Sequence, residues 1–173
     1  MSGDEVMPGF TGEKGAEAMA LKGGCFCGKV AFTIEAPCLT AFACHCTNCQ
    51  RLQGAPYTRY AYFPPGAIKP DTGSEEFAAK FNSSENLARY HCRVCGSPVW
   101  GVNSAKGFEC MGCPIAALER GPDGRFLGGE GIKLNGHVFY DSRVADVDDG
   151  VPKHAGYPPE AAAVDFGAAF KSG

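Results

Sequence analysis

Apolar and polar positions along the chain fall into short runs. In KVAFTIE (29–35), Val30, Phe32 and Ile34 alternate with polar or small residues, the period-2 pattern of a half-buried strand. YTRYAYF (57–63), EFAAKF (76–81), LARYHC (87–92), PVWGV (98–102), FECMG (108–112) and GHVFY (136–140) are short and rich in aromatic and β-branched residues. Gly, Pro, Asn or Ser punctuation such as PPG, DTGS and NSS separates them. Many short strands without a sustained helical period predict a mostly antiparallel β fold. EEFAAKF (75–81) reads either as strand or as a turn and a half of helix, and its brevity favours strand. Residues 1–20 carry no apolar period and are expected to form a loose tail, so the ordered domain should span 21–149. From Gly150 onward three prolines and little periodicity predict an extended C-terminal extension, laid over the surface or left without fixed structure.

The length of 173 residues suits one domain with its own core. A balance of 16 Lys and Arg against 19 Asp and Glu gives a formal net charge of -3, which offers no broad positive field to a phosphate backbone. Nucleic acid is therefore not an expected partner. No apolar run approaches the roughly 20 residues needed to cross a bilayer, and MSGDEVMPGFTGEKG is acidic and glycine-rich where a signal peptide would be basic and then apolar. The expectation is a soluble, cytoplasmic protein with no membrane partner.

Ten cysteines change the picture: Cys25, Cys27, Cys38, Cys44, Cys46, Cys49, Cys92, Cys95, Cys110 and Cys113. Nine of them fall in tight groups, C-x-C, C-x-C-x-x-C, C-x-x-C and C-x-x-C, and only Cys38 stands alone. In a reducing compartment such grouping points to metal ligation rather than disulfides. Zinc held by thiolates sits about 2.3 Å from each sulfur, so neighbouring sulfurs approach to roughly 3.8 Å. Alternate residues of a strand leave the same face and can lean onto one ion, which suits C-x-C. A tight turn suits C-x-x-C, and Gly96 together with Gly23 and Gly24 would supply backbone freedom for it. By the same alternation His45, between Cys44 and Cys46, is expected to point away from a metal held by its neighbours. A thioredoxin-like redox centre would require a βαβ context that the pattern lacks. The residues alone leave open whether all the cysteines build closed structural zinc sites or one site keeps an open position.

LKGGCFCGKVAFTIE, then CHCTNCQRLQGAPY, then HCRVCGSPVWG resemble the glutathione-dependent formaldehyde-activating enzyme family, to which centromere protein V is distantly related. The family pattern is G-G-C-x-C-G-x-V-x-[FY], C-H-C-x-x-C-[RQ] and C-x-x-C-G-[ST]-x. The likeness covers about residues 21 to 102, and GHVFYDSRVADVDDGVPKHAGYP is more loosely similar to the C-terminal portion of fungal members. The resemblance implies an antiparallel β-tent fold and two zinc ions per chain. It assigns Cys25, Cys27, Cys92 and Cys95 to a closed structural zinc. It assigns Cys44, Cys46 and Cys49 to a second, catalytic zinc with an exchangeable fourth position.

Three thiolates on Zn²⁺ leave a formal charge of -1, which disfavours activation of water and suits capture of a further thiol as thiolate. The resemblance therefore implies a carbon-sulfur lyase of the kind that joins glutathione to formaldehyde as S-hydroxymethylglutathione. Thiol addition to formaldehyde is easy without a catalyst, so a second expectation is a zinc-dependent tailoring enzyme in a small-molecule biosynthetic pathway, acting on another carbonyl or thioether. A zinc-stabilised interaction module and a redox or metal-buffering protein are further classes; the first is disfavoured by the lack of a basic extension. Arg51, Gln53 and Tyr57 follow Cys49 closely enough to line a substrate pocket. His45 is a candidate acid or base only against its expected direction. CMGC lies outside the family pattern. Cys110 and Cys113 are expected to be buried as small apolar residues; the alternatives are replacing a ligand in either zinc site or forming a third metal site with Cys38, and if one of them completed the second zinc site the catalytic reading would fail.

Overall fold

The computed structural model describes residues 20–128 and 131–158. The remainder of the expected N-terminal tail and the C-terminal extension beyond residue 158 lie outside the described residues. Among the described residues ten strands form two sheets. β1 (Leu21–Gly24), β2 (Ala31–Ile34) and β5 (Ile68–Pro70) make the small sheet in the order β1-β2-β5. The large sheet contains β3 (Thr40–Cys44), β4 (Thr58–Phe63), β6 (Ala78–Ser84), β7 (Leu87–Cys92), β8 (Pro98–Asn103), β9 (Cys110–Pro114) and β10 (Leu134–Val138), in the order β10-β3-β4-β9-β8-β7-β6. The mostly β fold expected from the pattern is thus present. Within EEFAAKF, Glu75 to Phe77 form turns and the strand begins at Ala78.

The alternation in β2 does what its pattern requires: Phe32 and Ile34, with Val30 just before, are fully buried and face the large sheet. They pack with Ala61, Phe63, Trp100, Met111 and Cys113 in one core, and Phe32 meets Trp100 edge-on at 5.8 Å. Glycine in β1 is required by close approach. A Cβ on Gly23 would stand 2.4 Å from the Phe32 ring, and the left-handed residue of the following turn is Gly28. The expected turn-making role of Gly23 and Gly24 is therefore replaced by sheet packing, while Gly96 does adopt a positive φ of 76°.

Among the named strands of the described residues one pairing is parallel. β10 lies alongside β3 with a bulge between Leu134 and Gly136, reached by a crossover longer than the dozen residues such a connection needs. Residues 152–154 then bond back to this edge. His137 N–H donates to Pro152 O at 2.8 Å, His154 N–H to His137 O at 2.8 Å, and Tyr140 N–H to His154 O at 2.9 Å. The described start of the C-terminal segment is built into the sheet edge beside the cysteine loop. No helix among the described residues is long and apolar enough to cross a membrane.

Candidate metal centres and the cleft beside them

The first cysteine set joins two hairpin turns. Cys25 and Cys27 follow β1, and Cys92 and Cys95 flank the turn after β7, where Gly96 N–H returns to Cys92 O at 2.8 Å. All four sulfurs lie within 4.8 Å of one another. Cys25 Sγ stands 3.6 Å from Cys27 Sγ, and Cys27 Sγ 3.7 Å from Cys92 Sγ. Those separations match the edge of a thiolate tetrahedron around zinc, about 3.8 Å. Hydrogen bonding with the Ser97 side chain and backbone holds the Cys95 thiol down at about 5, whereas Cys27, despite a lowering backbone bond at Lys29, is pushed up to about 11 by desolvation and the neighbouring thiols.

The second set is Cys44, Cys46 and Cys49, also within 4.8 Å of one another. Cys44 closes β3, and α1 (Thr47–Gln53) begins immediately after Cys46. The turn expected for this C-x-x-C is in fact the first turn of a helix. Cys46 is the N-cap, its Sγ accepts the Cys49 N–H at 3.4 Å, and Gly54 ends the helix in the left-handed region. A helix of seven residues with one buried side chain, Cys49, leaves little apolar period to read. Cys44 donates to Cys46 at 3.4 Å. Donation from Cys44 and Cys49 holds the Cys46 thiol at about 3, whereas its bonds to Cys46 and Cys49, and burial, push Cys44 well up. Cys44 draws the Cys49 thiol down, but the Cys46 charge and burial prevail and raise it to about 11. Both sets have the donors and spacing that zinc requires, and among the described residues no other cysteine closes the second.

His45 points away from the sulfurs, as its place in the strand end dictates. It is 0% exposed, and its Nε2 lies 2.8 Å from His137 Nδ1. His137, equally buried, is bonded through Nε2 to Asp149 at 2.8 Å, and Lys153 donates to the other Asp149 oxygen at 2.8 Å. Tyr57 stacks on His45 at 4.9 Å and Tyr140 meets it edge-on at 5.0 Å. Burial lowers the His45 pKa. A polar strut from the C-terminal segment thus supports the back of the cysteine loop, and of this group only His45 and Tyr57 were candidates in the sequence.

In front of the sulfurs lies a narrow cleft of about 40 Å³ on the outer face of the large sheet, bordered by Cys44, Cys49, Tyr60, Tyr62, Arg89 and Tyr157 among others. Arg89 was not singled out in the sequence. It is 9% exposed, its Nε donates to Ser83 Oγ at 3.0 Å, and its Nη2 lies 3.9 Å from Cys49 Sγ. Burial opposes its charge, but Cys49, Tyr60 and Tyr62 outweigh it and raise its pKa. Among the described residues no carboxylate lies within salt-bridge distance of Arg89.

The three pocket residues expected after Cys49 separate. Arg51 is exposed on α1 and borders neither cavity. Gln53 and Tyr57 border a second cavity, on the other side of α1, together with Arg59, Ile115 and Phe126. Gln53 still reaches the first cleft indirectly, because its amide donates to the Tyr60 hydroxyl at 3.3 Å. Cys110 and Cys113 are buried, at 2% and 0% exposure. Three residues apart on β9, they leave opposite faces of the strand and cannot share an ion. Cys113 sits in the core, and Cys38 donates to Thr40 O at 3.2 Å.

The family model described as glutathione-dependent formaldehyde-activating enzyme matches residues 20–132. Among solved structures, the chain is similar to a Rhodobacter sphaeroides protein from a structural genomics programme, with 24% identity over 59% of this chain and 92% of that one, at a TM-score of 0.48. No curated protein is similar enough to the chain to count as a match. His137, Asp149, Lys153 and Tyr157 all lie C-terminal to the family-matched stretch.

Proposed function

The chain belongs to the glutathione-dependent formaldehyde-activating enzyme family, and from that membership we propose that it is a zinc-dependent carbon-sulfur lyase acting on thiol adducts, with a thiol such as glutathione as one substrate. The observation that carries the reading is the unequal pair of cysteine sets, one of four sulfurs and one of three with a cleft against it. Zinc held by Cys44, Cys46 and Cys49 would supply one exchangeable position at which a thiol is kept as thiolate. The Cys25, Cys27, Cys92 and Cys95 set would hold a structural zinc that ties together segments more than sixty residues apart in the chain.

In the synthetic direction the thiolate sulfur attacks the carbonyl carbon. A carbon-sulfur bond forms, the C=O π pair moves onto oxygen, and that oxygen takes a proton. The cleft is suited to each need. Arg89 places a fixed positive charge beside Cys49, offsetting the formal -1 of three thiolates with a divalent ion and easing the approach of an anionic sulfur. Tyr60 accepts from Gln53, so its own O–H proton is available to the oxygen that gains charge. Burial raises the Tyr60 and Tyr62 pKa values, keeping both hydroxyls protonated. Phe42, Tyr62 and Tyr157 exclude bulk water from the sulfurs.

Substitution separates the two centres. Cys46→Ser is expected to retain the strand signature in circular dichroism and to lower turnover of S-hydroxymethylglutathione at least a hundredfold. Cys92→Ser is expected to lose cooperative folding. Equal unfolding by both substitutions would remove the division into structural and catalytic metal.

A further inference from the structure

The second cavity, on the side of α1 away from the sulfurs, lies where the core is left unfinished. Alternate residues of β4 share a face, so Arg59 stands on the same side of the sheet as Ala61 and Phe63, both fully buried in the core. Tyr60 and Tyr62 take the opposite side, toward the cysteine cleft. The core-facing phase of a strand calls for an apolar residue, yet an arginine occupies it at 59, opposite Ala43. The space beside it is not packed. A cavity of about 520 Å³ remains, bordered by Tyr57, Arg59, Ile115, Arg120, Phe126 and Leu134 among others. Ile115 belongs to the buried core, and Phe126 and Leu134 pack against it, so the apolar walls continue the core out to the surface.

The charge around this cavity is of one sign. Arg59 and Arg120 both border it, and among the described residues no Asp or Glu does. Nor does any carboxylate among the described residues lie within salt-bridge distance of either arginine. The Arg120 guanidinium rests over the Phe126 ring, 4.6 Å from its centroid, an arrangement that leaves the N–H edge of the fork to an anion. Small-molecule sites are typically of about 300–1,000 Å³, mostly apolar, with a few polar groups that fix orientation. This cavity has that size and that division. A polar tripeptide would leave its apolar walls wet, and a carbonyl the size of formaldehyde would leave it nearly empty. An acid with an apolar body satisfies both the walls and the arginines.

We propose that this cavity is a second ligand site, separate from both metal centres, for a small carboxylic acid with an apolar body. The carboxylate lies toward Arg59 and Arg120, and the body between Ile115, Phe126 and Leu134. The site does not depend on the thiol-adduct reading, because β4 and α1 stand between it and the three-cysteine set. It touches that set only through neighbours: Gln53, on its border, donates to the Tyr60 hydroxyl, and Tyr57 stacks on His45.

Isothermal titration of the full, zinc-loaded protein with decanoate, decanol and butyrate tests it. Decanoate is expected to bind at least tenfold tighter than decanol, which lacks the charge, and than butyrate, which lacks the apolar body. Arg59→Gln, at an exposed side chain, should weaken decanoate about fivefold, whereas Arg51→Gln, on α1 and bordering neither cavity, should leave it unchanged. Ala116→Trp, at an exposed position on the cavity wall, should block decanoate. No detectable decanoate binding, equal affinity for decanoate and either comparison probe, or equal effects of Arg51→Gln and Arg59→Gln would overturn the proposal. A folded Ala116→Trp protein with unchanged affinity would do the same, and should that variant fail to fold, the two arginine variants decide alone. Decanoate binding with these preferences in a protein whose metal accepts no thiol would leave the site standing and remove the lyase reading. Thiol capture without decanoate binding would do the reverse.

Discussion

Asp149 is the residue at which the C-terminal segment takes hold of the cysteine loop, through His137 to His45. Its carboxylate is held well below the ordinary range, first by the hydrogen bond from Lys153 and then by that from His137. A carboxylate with a depressed pKa in the folded state stabilises the fold above its unfolded pKa of about 3.9, and that contribution disappears as pH falls through the folded value. Asp149→Asn is therefore expected to be less stable than the parent at pH 7, with the difference shrinking below pH 4. Chemical denaturation of both proteins across that range is the check, and a gap that does not change with pH would show that the charge is irrelevant. The cysteines were legible in the sequence because ligand spacing is a local property. Arg89 was not, since what makes it notable is its approach to Cys49, forty residues away. Cys110 and Cys113 show the converse: a spacing that reads as a ligand pair in a turn means opposite faces once the segment is extended.

At the scale of elements, strands were legible wherever alternation had a core to face, as Val30, Phe32 and Ile34 do. α1 was not, because a two-turn helix with one buried cysteine carries no period. Its ends are nonetheless fixed by chemistry, with the Cys46 sulfur as N-cap and Gly54 at φ 59° as C-cap. A Cβ on Gly54 would meet nothing within 4 Å, so Gly54→Ala tests the backbone alone. It is expected to cost about 1 kcal/mol, a fall of roughly 3 °C in Tm. Gly23→Ala acts differently, by driving a methyl into the Phe32 ring. Overpacking of that kind costs about 1–3 kcal/mol, and thermal unfolding should rank it below Gly54→Ala. The reverse order would mean that the Phe32 ring can shift away from Gly23 on the neighbouring strand without strain.

Across the whole molecule, the two sheets share one core, with the four-cysteine set at the turns of β1 and β7 and the three-cysteine set where β3 enters α1. The parallel β10 and the segment after it complete the back of the second set from residues beyond the family-matched stretch. That closure could not be read from a Pro-rich, aperiodic tail, because it rests on backbone bonds to an edge strand rather than on apolar pattern. The central claim is that one metal centre is closed and the other takes a substrate thiol. Zinc X-ray absorption on the two-zinc protein, with and without glutathione, tests it most directly. The account predicts two zinc ions per chain and a mean sulfur coordination that rises from about 3.5 to about 4 when glutathione is added, given one four-sulfur and one three-sulfur site. Two sites already holding four sulfurs each, unchanged by glutathione, would contradict it.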